Sequence, residues 1–296
     1  MVISRTPRLH LTGVRALATW LAMLGSVAPS LAAGIACRRW FSPYRFRLPP
    51  RERVWLNAAQ REYVSSLDNG MVALYRWGHK GPRVLLMHGW NGRATQLCCF
   101  IEPLLQAGYQ VIAFDAPAHG HSPGKHTDLI EIAHALRSVS VRFGPFEGIV
   151  AHSFGMAVTA YALRHLGVAA FRVIGISPPG RMPYLFNSFC DLLHLPYRAR
   201  AAFEERVKER FGADVWEQLS PEVNVELLDN IPALLIHDND DREVTPSQAE
   251  ILHQAWPGSH LLRTDGLGHR RILRDPAVIA HTVRFFQRGE VPADVE

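Results

Sequence analysis

The chain has few of the features that mark small secreted, repetitive or disordered proteins. Only four cysteines occur among its 296 residues, and internal repeats and low-complexity tracts are absent. Four scattered thiols do not make a disulfide framework, and the adjacent Cys98 and Cys99 are poorly placed to bridge each other. A composition with 48% hydrophobic and 20% charged residues is that of an ordinary globular protein. We therefore expect a folded chain with a large core and reduced thiols.

Recognisable metal-ligand spacings are also missing from the sequence. His119, His121 and His126 lie close together, but neither a partner cysteine nor a helical HExxH pattern accompanies them. We interpret them as loop histidines. We expect no metal and no other cofactor.

Acidic residues are almost absent from the first 61 positions, which hold ten arginines and only one acid, Glu52. The rest of the chain has 22 basic and 26 acidic residues, so the net charge of +5 comes from the N-terminal segment. Nucleic-acid binding would need a basic face with interleaved aromatic residues on the folded domain, and the pattern lacks one. The arginines predict either a solvated terminus or peripheral contact of residues 1–53 with an anionic membrane surface.

The N-terminal segment also contains a long uncharged run. Residues 16–37 carry no charge over 22 positions, which is enough to span a bilayer. Arginines before the run and Ser30-Leu31-Ala32 within it also fit a signal peptide. Pro29 interrupts the run, so a third interpretation is two short helices, the second opened by Pro29, lying on the domain or on a membrane. We favour these helices in a cytoplasmic protein. Anchoring by residues 16–37 and a signal peptide stay open.

From residue 61 onward, strand-like and helix-like segments alternate. A hairpin is predicted around Asp68-Asn69-Gly70, between strands at Arg61–Ser66 and Met71–Trp77. Six short apolar runs follow and are typical of parallel strands buried on both faces: Val84–Met87, Val111–Phe114, Ile149–Ala151, Val173–Ile176, Ala233–Ile236 and His260–Leu262. Helices are expected between them, near 94–107, 127–143, 155–167, 246–256 and 275–287. The pattern predicts an α/β fold, with a mostly parallel sheet and helices on both faces.

One gap breaks this alternation, between Ser177 and Ile231. Pro178-Pro179-Gly180 opens the gap, and helix-prone stretches follow near 184–194, 199–211 and 213–219. We interpret residues 178–230 as a helical cap inserted into a core of residues 61–177 and 231–290. Residues 1–60 would form a separate N-terminal helical segment.

A serine lies where a predicted strand meets a predicted helix, in the run Ile149-Val150-Ala151-His152-Ser153-Phe154-Gly155. A serine held in a strained turn needs small residues two positions away on each side, so that strand and helix pack closely. Ala151 and Gly155 meet this need. The run resembles the nucleophile elbow G-x-S-x-G of the α/β-hydrolase superfamily, with Ala151 in place of the first glycine. The resemblance implies that Ser153 is a catalytic nucleophile.

The loop after the Val84–Met87 strand supports this resemblance. Its sequence, His88-Gly89-Trp90-Asn91-Gly92, resembles the H-G-x-x-G loop of the same family, which supplies one N–H group of the oxyanion hole. The resemblance implies that the backbone N–H groups of Trp90 and Phe154 would hold the oxyanion. The loss of one such donor typically lowers the rate by roughly 10²–10³-fold.

An aspartate follows the next strand, in Asp115-Ala116-Pro117-Ala118-His119-Gly120-His121-Ser122. The run resembles the family's D-x-x-G-x-G-x-S loop, from which Ala118 and His121 depart. We interpret Asp115 as a structural residue that ties this loop down, not as a catalytic acid.

The candidate acid lies in the loop that follows the strand Ala233–Ile236. The segment from Leu234 to Val244 resembles the family's strand followed by H-G-x-x-D-x-x-V, and this register places the acid at Asp241. Asp240, one residue away, is the alternative. Asp238 stands where the family usually has glycine.

The candidate base follows the last strand, in Gly266-Leu267-Gly268-His269. This run resembles the family's G-x-G-H segment, which implies that His269 is the general base. The resulting chain order, Ser153 then Asp241 then His269, is the order found in this fold.

The resemblance implies a serine hydrolase that cleaves carboxylic esters through an acyl-enzyme. Apolar residues of the cap, such as Tyr184, Phe186 and Leu192, favour a small hydrophobic and lipid-like ester, although they would serve equally to pack the cap on the core. A thioesterase, a carbon–carbon hydrolase and a cofactor-free haloperoxidase share these residues and stay open. A non-catalytic binding protein on the same fold is the alternative from a different class.

Overall fold

A computed structural model describes residues 8–66, 70–289 and 291 of the chain. Its centre is an eight-stranded sheet with the strand order β1-β2-β4-β3-β5-β6-β7-β8. The strands are β1 (Gln60–Ser66), β2 (Gly70–Trp77), β3 (Arg83–Met87), β4 (Gln110–Phe114), β5 (Gly148–His152), β6 (Val173–Ile176), β7 (Ala233–Asp238) and β8 (Ser259–Thr264). All eight predicted strands are confirmed, with ends that shift by at most two residues.

The antiparallel strands lie at one edge of the sheet, and the buried strands are parallel. The pairs β1–β2 and β2–β4 are antiparallel, and every other neighbouring pair is parallel. Every residue of β4, β5, β6 and β7 is buried, as expected for parallel strands covered on both faces. The edge strand β1 has mainly exposed residues. Asp68 and Asn69 of the predicted hairpin turn lie outside the described residues, but the antiparallel pairing of β1 with β2 is as predicted.

Thirteen α-helices occur in the described part of the chain. They are α1 (Arg8–Val27), α2 (Pro29–Trp40), α3 (Pro50–Ala58), α4 (Ile101–Gln106), α5 (Leu129–Phe143), α6 (Phe154–His165), α7 (Met182–Leu192), α8 (Tyr197–Phe211), α9 (Val215–Leu219), α10 (Pro221–Val225), α11 (Ser247–Ala255), α12 (Gly268–Arg271) and α13 (Pro276–Arg288). The predicted helix at 94–107 is instead a 3₁₀ segment, Ala94–Phe100, followed by α4. Pro103 lacks an N–H donor, so an α-helix can begin only shortly before it.

The described residues form two compact units. The helical unit contains the residues up to Ser42 together with Met182–Gln218, and the sheet unit contains Pro43–Arg181 together with the residues from Leu219 onward. The N-terminal helices α1 and α2 thus group with the inserted helices α7, α8 and α9. The sequence pattern had treated residues 1–60 as a segment of their own.

Small and aromatic residues hold the helical unit together. Pro29 is the first residue of α2, as expected, and the buried residues of this helix are Ala32, Ala33 and Ala36. The Trp40 ring packs edge-on against Phe189, with 5.1 Å between ring centroids. Gly25 of α1 lies so close to α8 that a Cβ there would stand 2.8 Å from Pro196 Cδ. Among the described residues, we find no helix with the length and apolar character needed to cross a bilayer.

Candidate active site

Ser153 lies in a strained turn between β5 and α6. Its backbone angles, φ 53° and ψ −126°, are in a region that non-glycine residues rarely adopt. The Ser153 N–H donates to the Ile176 carbonyl at 2.9 Å, which ties the turn to β6. A Cβ at position 155 would come within 2.6 Å of the His88 carbonyl oxygen. Gly155 is therefore required by the close approach of α6 to the end of β3.

The loop after β3 passes directly beside this serine. A Cβ at Gly89 would stand 3.1 Å from the Ser153 Cβ. The rings of Trp90 and Phe154 meet edge-on with 5.2 Å between their centroids, so the two predicted oxyanion-hole positions are neighbours. In residues 8–66 and 70–289, neither of their backbone N–H groups donates a hydrogen bond.

Two buried histidines fix the position of this loop. His88 Nε2 accepts the Ala116 N–H at 3.1 Å, and His119 Nε2 accepts the Asn91 N–H at 3.2 Å. Burial lowers the pKa of His88, and burial together with the nearby His88 lowers the pKa of His119 to about 3. Both rings are therefore neutral near pH 7 and can accept these N–H groups. His119 was predicted to be only a loop histidine, and its contact with Asn91 gives it a definite structural role.

Asp115 ties down the loop after β4, in agreement with the interpretation from sequence. Its carboxylate accepts the Ala94 N–H and the His121 N–H, both at 2.7 Å, and the Tyr75 hydroxyl at 2.9 Å. Burial alone would raise the pKa of Asp115, but the hydrogen bonds from His121 and Ala94 lower it. The Asp115 carboxylate is thus ionised, and both of its oxygens accept hydrogen bonds from groups that hold the loop in place.

Asp241 follows β7, His269 lies in the short helix α12 after β8, and the two side chains meet in a buried hydrogen bond. His269 Nδ1 donates to Asp241 Oδ2 at 2.7 Å, and Asp241 Oδ1 accepts the N–H groups of Glu243 at 2.9 Å and Val244 at 3.0 Å. Burial alone would raise the pKa of Asp241, but hydrogen bonds from His237 and His269 hold it well below its usual range. Asp240 is exposed, and its carboxylate accepts the backbone N–H of Gly266 at 3.0 Å, so the geometry selects Asp241 as the partner of His269.

Asp238 is a site residue that the sequence pattern did not single out. One carboxylate oxygen accepts the Gly268 N–H at 2.7 Å, and the other accepts the Leu267 N–H at 3.0 Å and the Thr264 hydroxyl at 2.8 Å. The hydrogen bonds lower the pKa of Asp238 against the opposing effect of burial. This aspartate holds the two residues before His269. The signal in the sequence was its place at a position where the family usually has glycine.

His152, inside the nucleophile turn, was also missed. Its Nε2 donates to the backbone carbonyl of His269 at 3.1 Å, and the two rings lie 4.8 Å apart. Burial and the nearby His269 lower the pKa of His152 well below its usual value. A neutral His152 therefore links the Ser153 turn to the His269 loop. Within the described residues, no hydrogen bond joins the Ser153 hydroxyl to the His269 ring itself, a contact that often forms only with substrate bound.

Clusters of metal-ligating side chains and disulfides do not occur in the described part of the chain. No group of three or more His, Cys, Asp or Glu residues there could hold a metal ion. All four cysteines are free thiols.

The sheet is mostly parallel, and the segments that follow its strands place the Ser153 turn beside the hydrogen-bonded pair of His269 and Asp241. This combination is that of the α/β-hydrolase fold. Residues 84–282 match the alpha/beta hydrolase family, and the chain belongs to this family.

Known proteins with similar sequences or structures include several esterases. A pimeloyl-[acyl-carrier protein] methyl ester esterase of Neisseria meningitidis is 26% identical over 246 residues, which is 70% of this chain and 93% of that protein. An esterase from Pyrococcus furiosus aligns with a TM-score of 0.62 and 19% identity, over 84% of this chain and 97% of that one. A bromoperoxidase from Bacillus anthracis aligns with a TM-score of 0.59 and 18% identity, over 77% and 99%. The two solved structures share the fold of this chain.

Proposed function

We propose that the protein is a serine hydrolase that cleaves carboxylic esters, with Ser153 as nucleophile, His269 as general base and Asp241 as the acid that orients it. The 2.7 Å hydrogen bond between His269 and Asp241 carries the proposal, because it fixes the tautomer in which His269 Nε2 can accept a proton. The strained turn at Ser153 supports it further, since this geometry exposes a serine hydroxyl at a strand end.

The reaction would proceed through a covalent acyl-enzyme. His269 Nε2 takes the proton as the Ser153 hydroxyl attacks the acyl carbonyl carbon, and Asp241 stabilises the resulting imidazolium. The N–H groups of Trp90 and Phe154 hold the tetrahedral oxyanion. The imidazolium then protonates the leaving alcohol as the carbon–oxygen bond breaks. A water molecule, deprotonated by His269, then attacks the acyl carbon. The bond from this carbon to Ser153 Oγ breaks, His269 returns the proton to Ser153, and the acid is released.

The substrate class that we propose is a hydrophobic ester of lipid-like character. The Neisseria relative acts on a methyl ester of an acyl group that is attached to a carrier protein. A thioesterase or a carbon–carbon hydrolase would use the same three side chains, so the acyl group and the leaving group need a direct test.

The test is labelling by a fluorophosphonate probe, which reacts only with an activated serine. The wild type should label, and Ser153→Ala should abolish labelling and lower kcat on p-nitrophenyl esters by roughly 10⁵-fold. Ser177→Ala is a matched control, since Ser177 also lies at a strand end with a positive φ of 50°. An unlabelled wild type, or a Ser153→Ala variant that labels normally, would contradict the assignment.

Comparison of substrates would then define the reaction. A p-nitrophenyl series of increasing chain length should show kcat/KM rising with chain length if the acyl site is hydrophobic. Higher kcat/KM on acyl-coenzyme A than on matched esters would replace the esterase assignment by a thioesterase one.

A further inference from the structure

Helix α1 has apolar residues on two opposite faces, and only one of these faces is buried. Ala18 and Leu21 are buried within the protein. Trp20, Met23 and Val27 are 46%, 62% and 82% exposed. Residues three and four positions apart lie on one face of a helix, so these three form one stripe opposite the buried side. A helix that is apolar on both sides is expected to be covered on both sides.

Two more apolar residues of the helical unit are exposed. Leu31, in the first turn of α2, is 59% exposed. Tyr197, the first residue of α8, is 84% exposed and directly follows Pro196, which lies against Gly25 of α1. We refer to Trp20, Met23 and Val27 as the apolar stripe. An exposed apolar helix face of this kind marks an interaction site.

The charge around the stripe indicates what covers it. Residues 1–51 contain eight arginines and neither aspartate nor glutamate. Among these arginines, Arg15 on α1 and Arg38 and Arg39 at the end of α2 are exposed. An anionic surface would be attracted to this segment. A second copy of the chain would bring the same excess of positive charge, which opposes pairing through the stripe.

We propose that the apolar stripe lies in the interface of a bilayer containing anionic lipids, with Trp20, Met23 and Val27 at the boundary between headgroups and acyl chains. Arg15, Arg38 and Arg39 would contact lipid phosphates. An amphipathic helix parallel to a membrane binds through this combination of apolar side chains and arginines. The inference goes beyond ester hydrolysis and does not depend on it.

Flotation of the full-length protein with lipid vesicles tests the proposal. The wild type should float with vesicles of phosphatidylcholine and phosphatidylglycerol and bind pure phosphatidylcholine more weakly. The variant Trp20→Ser/Met23→Ser/Val27→Ser should lower the partition coefficient by more than about tenfold, because it removes the apolar area that enters the interface. All three positions are exposed, and circular dichroism would verify that the variant is folded.

Two further variants separate the two contributions. The matched control Tyr63→Ser/Val141→Ser/Phe171→Ser changes three side chains of the sheet unit that are 55%, 68% and 60% exposed, and it should float as the wild type does. The variant Arg15→Gln/Arg38→Gln/Arg39→Gln should reduce binding to the anionic vesicles by roughly fivefold per arginine and should leave the weak binding to phosphatidylcholine unchanged.

Three outcomes would overturn the proposal. The first is a wild type that floats with neither vesicle, and the second is a triple serine variant that binds as well as the wild type. The third is a wild-type dimer in sedimentation velocity that the triple serine variant converts to a monomer, with no vesicle binding by either. That result would assign the stripe to a second copy of the chain.

Discussion

The loops after β4 and β7 each contain a buried aspartate, and their comparison shows how similar surroundings support different roles. Asp115 and Asp241 each accept two backbone N–H groups, and hydrogen bonds lower the pKa of each against the opposing effect of burial. The difference lies in the side chain that makes the shortest further contact. For Asp115 it is the phenol of Tyr75, in the neighbouring strand β2, at 2.9 Å, and for Asp241 it is the ring of His269, at 2.7 Å.

The distribution of hydrogen bonds over the two oxygens sharpens this difference. Asp241 uses Oδ1 for backbone N–H groups and keeps Oδ2 for histidine side chains, with His237 Nε2 at 3.4 Å as a second neighbour. Asp115 uses both oxygens for groups that hold loops in place. We therefore expect substitution of Asp241 to act on the reaction and substitution of Asp115 to act on folding.

The largest effect is expected from Asp241→Asn. The amide cannot stabilise an imidazolium and favours the wrong tautomer of His269, so kcat on p-nitrophenyl esters should fall about 10⁴-fold, which is about 5.5 kcal/mol of transition-state energy. The free energy of unfolding should change much less. Asp240→Asn is the matched control. Its kcat should stay within about threefold of the wild-type value, because the exposed Asp240 does not contact His269. Equal losses in the two variants would show that the acid has been assigned incorrectly.

Asp115→Ala should have the largest effect on stability. The change leaves the Ala94 and His121 N–H groups without their acceptor and removes one of the two partners of the Tyr75 hydroxyl. We expect a loss of about 3–5 kcal/mol in urea unfolding. The half-buried Asp275 is a suitable control, because it accepts two N–H groups at the start of α13. Its replacement by alanine should cost only about 1 kcal/mol. Equal losses in the free energy of unfolding would contradict the expectation that the buried Asp115 contributes more to stability than Asp275.

Acidification from pH 7 to pH 5 should destabilise the loop after β4 more than the loop after β7, because His119 belongs to the loop after β4. Its pKa of about 3 in the folded protein is below the value of about 6.5 expected in the unfolded chain, so the unfolded chain binds more protons between these values. Stability should therefore fall by about 2 kcal/mol from pH 7 to pH 5 through His119 alone, and His88 and His152 should add to this loss. The lowered pKa of Asp241 contributes stability that is lost only below about pH 4, outside this window.

Urea unfolding at pH 7 and pH 5 measures this loss. His119→Gln should reduce the difference between the two pH values by about 2 kcal/mol. His79→Gln should not change it, since the His79 ring is exposed to solvent. A wild type that is equally stable at both pH values would exclude the neutral, buried state of these histidines.

The candidate catalytic residues at the ends of the strands could be predicted, because their positions depend on local sequence. A short apolar run marks each buried strand, and neighbouring parallel strands bring the loops at their carboxyl ends to one edge of the sheet. Ser153, Asp241 and His269 follow β5, β7 and β8, and the structure brings Asp241 to His269 as the motif register implies. It also places Ser153 beside the loop that holds Trp90.

Features that depend on tertiary contacts were not predicted. The helices α3 and α10 are short and lack an amphipathic repeat long enough to detect, although each begins with a proline. The hydrogen bonds of Asp238 to the loop after β8 join positions about 30 residues apart, and no local pattern encodes them. The grouping of α1 and α2 with the inserted helices has the same origin, since it depends on contacts such as that of Gly25 with Pro196.

The smallest effect is expected at Ala118, where the loop after β4 departs from the family's glycine. Ala118 has φ 62°, and its backbone is held there by hydrogen bonds to Pro123 and Arg45. A left-handed alanine costs roughly 1–2 kcal/mol, whereas glycine adds chain entropy to the unfolded state. Ala118→Gly should therefore stabilise the protein by about 0.5–1 kcal/mol in urea unfolding. Ala116→Gly, at a buried position without positive φ, should instead destabilise it by about 1 kcal/mol. A free energy of unfolding that rises in Ala118→Gly and falls in Ala116→Gly would show that backbone conformation, and not side-chain burial, decides the effect at position 118.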